Sequence, residues 1–125
     1  MCKTLLSVHV LELIRESLQE ILRRSEKIMT PDDFLMSPEG VVLLDSICMK
    51  LSAVGESLKN LDKITEHTLL PRYPEVPWKS VMGVRDFIVH HYFEVDAEVI
   101  YEICKNDVPV LLTVISRMID DLRKL

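Results

Sequence analysis

Between Val84 and Phe93 the chain reads Val-Arg-Asp-Phe-Ile-Val-His-His-Tyr-Phe, an Arg-x4-His-x-Tyr pattern carried by Arg85, His90 and Tyr92. The three side chains suit phosphate chemistry. A guanidinium is a fixed cation that grips phosphate oxygens in a bidentate fork. An imidazole titrates near neutral pH and can take and return a proton. A phenol offers a hydroxyl open to modification. Together they fit RNA cleavage without a metal: His90 draws a proton from a ribose 2′-hydroxyl while Arg85 holds the scissile phosphate and offsets its developing charge. The leaving 5′-oxygen needs an acid, which a second His90 across a dimer axis could supply, and the product ends would be 2′,3′-cyclic phosphates.

Helical geometry complicates the trio. Arg85, Val89 and Tyr92 follow i, i+4, i+7 spacing and share a face, whereas His90 lies about 140° around from Arg85 at roughly 100° per residue. The two would meet at one substrate through arginine's reach, through a distortion or helix end near His90, or across two subunits. The plain alternative is an exposed arginine and a tucked histidine on an amphipathic helix. From Arg72 to Tyr92 there are three formal cations (Arg72, Lys79, Arg85) against two anions (Glu75, Asp86), so the segment is only slightly positive.

The elements that must position these groups read as helices throughout. Leu11, Ile14, Leu18, Ile21, Leu22, Ile28 and Met29 recur at three-to-four-residue spacing with charges between them, an amphipathic first helix. Thr30-Pro31-Asp32-Asp33 carries N-cap, first-turn proline and first-turn acids, and predicts a short turn around Phe34, Leu35 and Met36. Ser37-Pro38-Glu39 repeats that signal and opens a second long helix with Val41, Leu44, Ile47, Cys48, Leu51, Val54, Leu58 and Leu61 on one stripe. Gly55 inside it costs roughly 0.8–1 kcal/mol against alanine, which predicts a neighbouring helix in close approach. Prolines 71, 74 and 77 forbid a helix across Leu70–Pro77. A third helix runs from Pro77 through Trp78, a core anchor, to about Tyr92. Asp96 caps a fourth segment, Asn106-Asp107-Val108-Pro109 punctuates, and a last helix carries Leu111, Leu112, Ile115, Ile119 and Leu122. These pieces predict a single all-α domain over residues 1–125, an antiparallel up-and-down bundle of four to five helices.

Composition narrows the class. The chain of 125 residues carries 15 basic and 20 acidic side chains, a formal charge of −5, which disfavours broad attraction to nucleic acid or anionic membrane but leaves room for a local phosphate site. Cys2, Cys48 and Cys104 are widely spaced and form no C-x-x-C pair, so they read as reduced core residues. The N-terminus does not read as a signal peptide, and no apolar run has the length of a membrane span, so a soluble cytoplasmic protein is expected. His9, His67, His90 and His91 form no H-x-x-x-H or H-E-x-x-H pattern, and no metal site or other cofactor is expected. No phosphate-cradling glycine loop or G-x-S-x-G elbow is present. Asp32, Asp33 and Glu39 read as helix-start charges rather than a catalytic pair.

Pro74-Glu75-Val76-Pro77-Trp78, Val84-Arg85-Asp86, His90-His91-Tyr92-Phe93, Val95-Asp96 and Ile103-Cys104-Lys105-Asn106-Asp107-Val108-Pro109, with the Val54-Gly55-Glu56 step, resemble the HepT-like branch of the HEPN superfamily. The resemblance implies a HEPN-like helical bundle, usually a homodimer. It implies a ribonuclease toxin of a prokaryotic type VII-like toxin–antitoxin module, with an MntA-like minimal nucleotidyltransferase as antitoxin. Carried onto this sequence, Arg85 and His90 become the catalytic pair, and Tyr92 the hydroxyl that the antitoxin adenylylates to silence the toxin. Asp86 stands where many members have Asn; its charge either orients His90 or weakens phosphate attraction. His91 replaces a frequent glycine, and motif register favours His90 as the working imidazole. Two further readings come from other classes: a non-catalytic nucleotide-binding subunit of a minimal nucleotidyltransferase, and a purely structural bundle.

Overall fold

The computed structural model describes residues 2–125, with Cys2 and Tyr92 described in their backbone only. Helix α1 spans Cys2–Ser25, α2 Pro38–Ile64, α3 Trp78–His90, α4 Ala97–Glu102 and α5 Val108–Arg123. Short 3₁₀ turns at Pro31–Phe34, Leu70–Arg72 and Tyr92–Glu94 join them, and no strand occurs among the described residues. The expected all-α bundle is therefore the fold.

Packing runs in the order α3, α2, α1, α5. Cross-links between ends show the alternating directions. Lys3 at the start of α1 pairs with Glu66 just beyond α2, and Lys105 donates to the Ser25 carbonyl at the end of α1, 2.9 Å away. Most of the predicted apolar stripes close over one core, with Leu11, Leu18, Ile21, Ile47, Leu58, Leu61 and Ile115 fully buried; Val41 and Met29 instead face solvent, Met29 lying beyond the end of α1 at Ser25. Between α3 and α5 a cavity of about 370 Å³ remains, floored by Leu18, Leu51 and Val54 and walled by Val81 and Leu111.

The starts of elements follow their local chemistry. The Ser37 hydroxyl accepts from the Gly40 amide at 3.0 Å, and Asp96 accepts from the Glu98 amide at 2.9 Å. In the turn before α2, Asp33 reaches back to the Met29 and Thr30 amides at 2.8 and 3.2 Å, which lowers its carboxyl pKa. The Trp78 indole donates to the Tyr73 carbonyl at 2.9 Å and is buried, the anchoring role expected of it. Burial pushes the Cys48 and Cys104 thiols up to about 11, as suits reduced core cysteines; Cys2 lies outside the described side chains.

Two sequence expectations are corrected. Asn106-Asp107-Val108-Pro109 does not break the chain into separate helices. Instead α4 continues through a π-helical turn at Ile103–Asp107 straight into α5, and the Val108 amide bonds the Ile103 carbonyl five residues back. The wider turn absorbs a proline that a regular helix interior would reject. Helix α3 also ends at His90 rather than about Tyr92. His91 leaves helical geometry at φ −121°, ψ 25°, and Tyr92 opens a 3₁₀ turn, so the regular helical face shared by Arg85 and Tyr92 is not formed.

Gly55 does what its position in α2 predicted. A Cβ there would sit 3.3 Å from the Met82 carbonyl and 3.4 Å from both the amide nitrogen and the Cβ of Arg85. The close neighbour is thus α3, at the level of Arg85. Gly55→Leu forces these helices apart and should lower stability by about 1–3 kcal/mol, measured by chemical denaturation. Gly55→Ala gains helix propensity of about 0.8–1 kcal/mol against a contact only slightly too tight, so it should stay within about 1 kcal/mol of wild type. A large loss in the alanine variant would show a contact less yielding than these distances imply.

Candidate active site at the α2–α3 seam

Asp86 is the hub of the site. Its carboxylate accepts from Arg85 Nη1 at 3.2 Å through Oδ1, and from Lys59 Nζ on α2 at 3.2 Å through Oδ2. Arg85 Nε also lies 3.8 Å from Glu56 Oε2 on α2. Lys59 first and Arg85 second hold the Asp86 carboxyl below the usual carboxylate range. Two cations and two anions therefore alternate across the seam, and the cluster is formally neutral. All four side chains are substantially exposed, so each pair contributes little to stability.

The backbone of the same residue positions the histidine. His90 Nδ1 donates to the Asp86 carbonyl at 2.7 Å, and a carbonyl can only accept, so the proton sits on Nδ1. Neutral His90 then presents the lone pair of Nε2 outward, the form a general base requires. The Asp86 carbonyl, which the His90 amide already meets within the helix, uses its second lone pair for the imidazole. His90 therefore meets Asp86 through the main chain and not through the charge expected to orient it; the carboxylate serves Arg85 and Lys59.

His91 is held differently. Its Nδ1 donates to the Phe87 carbonyl at 2.9 Å, and its ring lies on the Phe87 ring with centroids 4.9 Å apart. Of the two imidazoles, His90 shares an anchoring residue with Arg85 and His91 does not. No hydrogen bond or ion pair joins Arg85 to His90 directly. The Tyr92 hydroxyl falls outside the described side chains.

Tyr73, the tyrosine that precedes the motif, is a structural residue. It is buried, its hydroxyl donates to Asp121 Oδ2 at 2.6 Å, and the Arg117 guanidinium lies 5.3 Å from its ring centre. Burial first and the Asp121 bond second push its phenol up to about 12. Lys59 and Glu56 are the site residues that sequence spacing did not reveal. They lie 26 or more positions from Arg85, on another helix, and only Gly55, just before Glu56, hinted at the contact. Among the described residues, no three His, Cys, Asp or Glu side chains gather as a metal site would need. No helix is long and apolar enough to cross a membrane.

Comparison with known proteins gives the family. The family described as "Ribonuclease HepT-like" matches residues 10–118. The chain belongs to the HepT-like ribonuclease family. A relative from Methanocaldococcus jannaschii, named as a candidate RNase, is 32% identical over 115 residues, covering 87% of this chain and 89% of the relative. Another, from Caldanaerobacter subterraneus subsp. tengcongensis and also named as a candidate RNase, is 32% identical over 103 residues, 78% of this chain and 86% of its own. A third, from Thermococcus cleftensis, carries the name of a candidate ribonuclease HepT and is 29% identical over 101 residues, 81% and 84% of the two chains. No solved structure matches the chain. Within this HepT-like member the motif segment and the Gly55 step lie inside the matched region.

The neutral cluster has a measurable consequence. Asp86→Asn removes the anion that occupies both Arg85 and Lys59, leaving two cations less engaged at the seam. RNA affinity, read by fluorescence anisotropy at low salt, should rise severalfold, and the gain should shrink as salt screens it. An unchanged or weakened affinity would show that Asp86 does not limit phosphate attraction.

Proposed function

We propose that this HepT-like protein is a metal-independent endoribonuclease, the toxin of a type VII-like toxin–antitoxin module, acting in the cytoplasm as a homodimer. The observation that carries the reading is Asp86 itself: one residue anchors the arginine by its carboxylate and the histidine by its carbonyl. In the reaction, His90 Nε2 takes the proton of a ribose 2′-hydroxyl, and the freed oxygen attacks the adjacent phosphorus. The bond to the 5′-oxygen breaks, and that oxygen receives a proton from His90 of a second copy. The products are a 2′,3′-cyclic phosphate and a 5′-hydroxyl. Arg85 exchanges its carboxylate partners for the phosphate and carries charge as the transition state forms.

Regulation falls to Tyr92. An MntA-like minimal nucleotidyltransferase joins the tyrosine oxygen to the α-phosphate of ATP and releases pyrophosphate. The added AMP places bulk and negative charge beside a site meant for RNA phosphate, so occlusion and like-charge repulsion silence it. Tyr92 lies in the turn directly after His91, two residues from the general base, which supports this assignment.

A second reading has its own support. Arg85 already faces two carboxylates, Asp86 and Glu56, and in that state is poorly disposed to grip another anion. The chain would then serve as a non-catalytic partner subunit of the nucleotidyltransferase, without a phosphate held at Arg85.

An RNA cleavage assay in EDTA separates the two. Wild type should cleave and leave cyclic phosphate ends, whereas Arg85→Ala and His90→Ala should lose at least about a hundredfold in rate with helicity retained. Intact RNA after exposure to folded wild type would rule out the enzyme. With the cognate nucleotidyltransferase and ATP, mass spectrometry should find one AMP added, absent in Tyr92→Phe. Equal modification of that variant would move the acceptor elsewhere, with buried Tyr73 a poor substitute.

A further inference from the structure

A polar residue stands at a core position near the start of α1. Leu11, Ile14, Leu18 and Ile21 form the buried stripe of that helix, and the same spacing carried back one turn falls on Ser7, which is 2% exposed. Ser25, equally buried, donates its hydroxyl to the Leu22 carbonyl at 3.4 Å. The Ser7 hydroxyl makes no hydrogen bond among the described residues. It is not sealed off either, because no described side-chain oxygen lacks both a partner and accessible surface. Its opening is a pocket of about 340 Å³, which Ser7 lines.

Three elements build this pocket at one end of the bundle. The opening turns of α1 bring Lys3, Thr4 and Ser7, the segment after α2 brings Glu66 and Arg72, and Leu69 and Leu122 form an apolar wall. Glu66 and His67, at φ 54° and 61°, are the described non-glycine residues in the left-handed region. They turn the chain sharply after α2, and Glu66 pairs there with Lys3. No residue of the Arg85–Asp86–His90 site lines the pocket.

The lining is disposed to donate. Amides in the first turn of a helix have no acceptor inside it, and the helix dipole places partial positive charge there. Lys3 shares its ammonium with Glu66, whereas the Arg72 guanidinium makes no hydrogen bond or ion pair among the described residues. Two cationic side chains thus accompany one carboxylate side chain around the pocket. The Thr65 and Thr68 hydroxyls donate to the carbonyls of Leu61 and Thr65 at 2.9 and 2.5 Å, so Ser7 is the buried hydroxyl left free to donate.

We propose that this pocket binds a phosphate monoester carried on an apolar body, its terminal oxygens taken by Ser7, the first amides of α1 and Arg72, and its body lying on Leu69 and Leu122. A monoester offers three terminal oxygens, where a phosphodiester or a carboxylate offers two, and the pocket has three kinds of donor to meet them. Apolar side chains beside the donors favour an organic ester over inorganic phosphate. The inference goes beyond the ribonuclease reading, and because the two sites share no residue, either can fail alone.

Phenyl phosphate is the probe. Titrated into protein labelled on its backbone amides, it should saturate below about 10 mM and shift the signals of Lys3, Thr4 and Ser7 while leaving those of Arg85, Asp86 and His90 unmoved. Arg72→Gln should weaken binding about tenfold and Ser7→Ala about fivefold, the losses of a charge-assisted and a neutral hydrogen bond. Glu66→Gln releases Lys3 and should tighten binding severalfold. Ser7→Ala should keep the thermal midpoint of wild type, since its hydroxyl holds no other group. Two sources of the monoester separate by competition. Displacement by a 5′-phosphorylated deoxytrinucleotide but not by its 5′-hydroxyl form would name a strand end, and displacement by neither a free small molecule. Displacement by both would mark a phosphodiester site and overturn the proposal. So would absence of saturation, shifts centred on Arg85, equal affinity in Arg72→Gln and Ser7→Ala, or benzoate binding as tightly as phenyl phosphate. A clear loss of stability in Ser7→Ala would give the hydroxyl a structural role and overturn it as well.

Discussion

Helix α3 reaches its main neighbour, α2, across a glycine. Without a side chain at Gly55, the backbone of α3 comes close enough for the Arg85 amide and Cβ to lie against α2. That approach brings Glu56 and Lys59 within reach of Arg85 and Asp86. A bulkier residue would move the two rows of charge apart and loosen every contact made across the seam. The propensity cost of glycine in a long helix is therefore offset by packing that places the chemical groups.

Asp86 turns that packing into a site. A charged side chain on one helix can bridge to the next only when the two are close, and a helical carbonyl can take a side-chain donor on its second lone pair besides its own helical amide. Both conditions hold at this residue. It lies opposite the Gly55 region of α2 and four residues before His90, the last residue of α3. Arginine and histidine are thus coordinated although they point to different sides of the helix. On the proposed reading, the neutral cluster gives phosphate an electrostatic competitor, since Asp86 and Glu56 already hold the guanidinium that RNA would need.

Charge is organised on a larger scale as well. The end of the bundle holding the first turn of α2 and the whole of α4 is acidic and unpaired, while the bases are distributed over the remainder. Net charge alone treats the molecule as a weakly acidic object. The arrangement instead concentrates eight acids in residues 28–49 and 92–104 and leaves a formal +3 on the rest of the chain.

Much of the fold was legible in the sequence, because helix signals are local. Apolar residues at three-to-four-residue spacing, Ser37 and Asp96 as caps, and prolines at 71, 74 and 77 act within a turn or two of themselves, and each holds in the structure. The motif residues were legible for the same reason, and Gly55 announced a close neighbour without naming it. Pro109 misled because a proline's local meaning depends on whether the turn before it can widen, and the π turn at Ile103–Asp107 does so. The end of α3 at His90, two residues early, was likewise beyond local signals. Only the tertiary structure decided that Gly55 faces Arg85, that Lys59 and Glu56 join the site, and that Asp86 holds His90 by its carbonyl. Those are contacts between segments distant in sequence, or choices between equally available donors and acceptors. They are fixed by how helices pack rather than by the residues on either side.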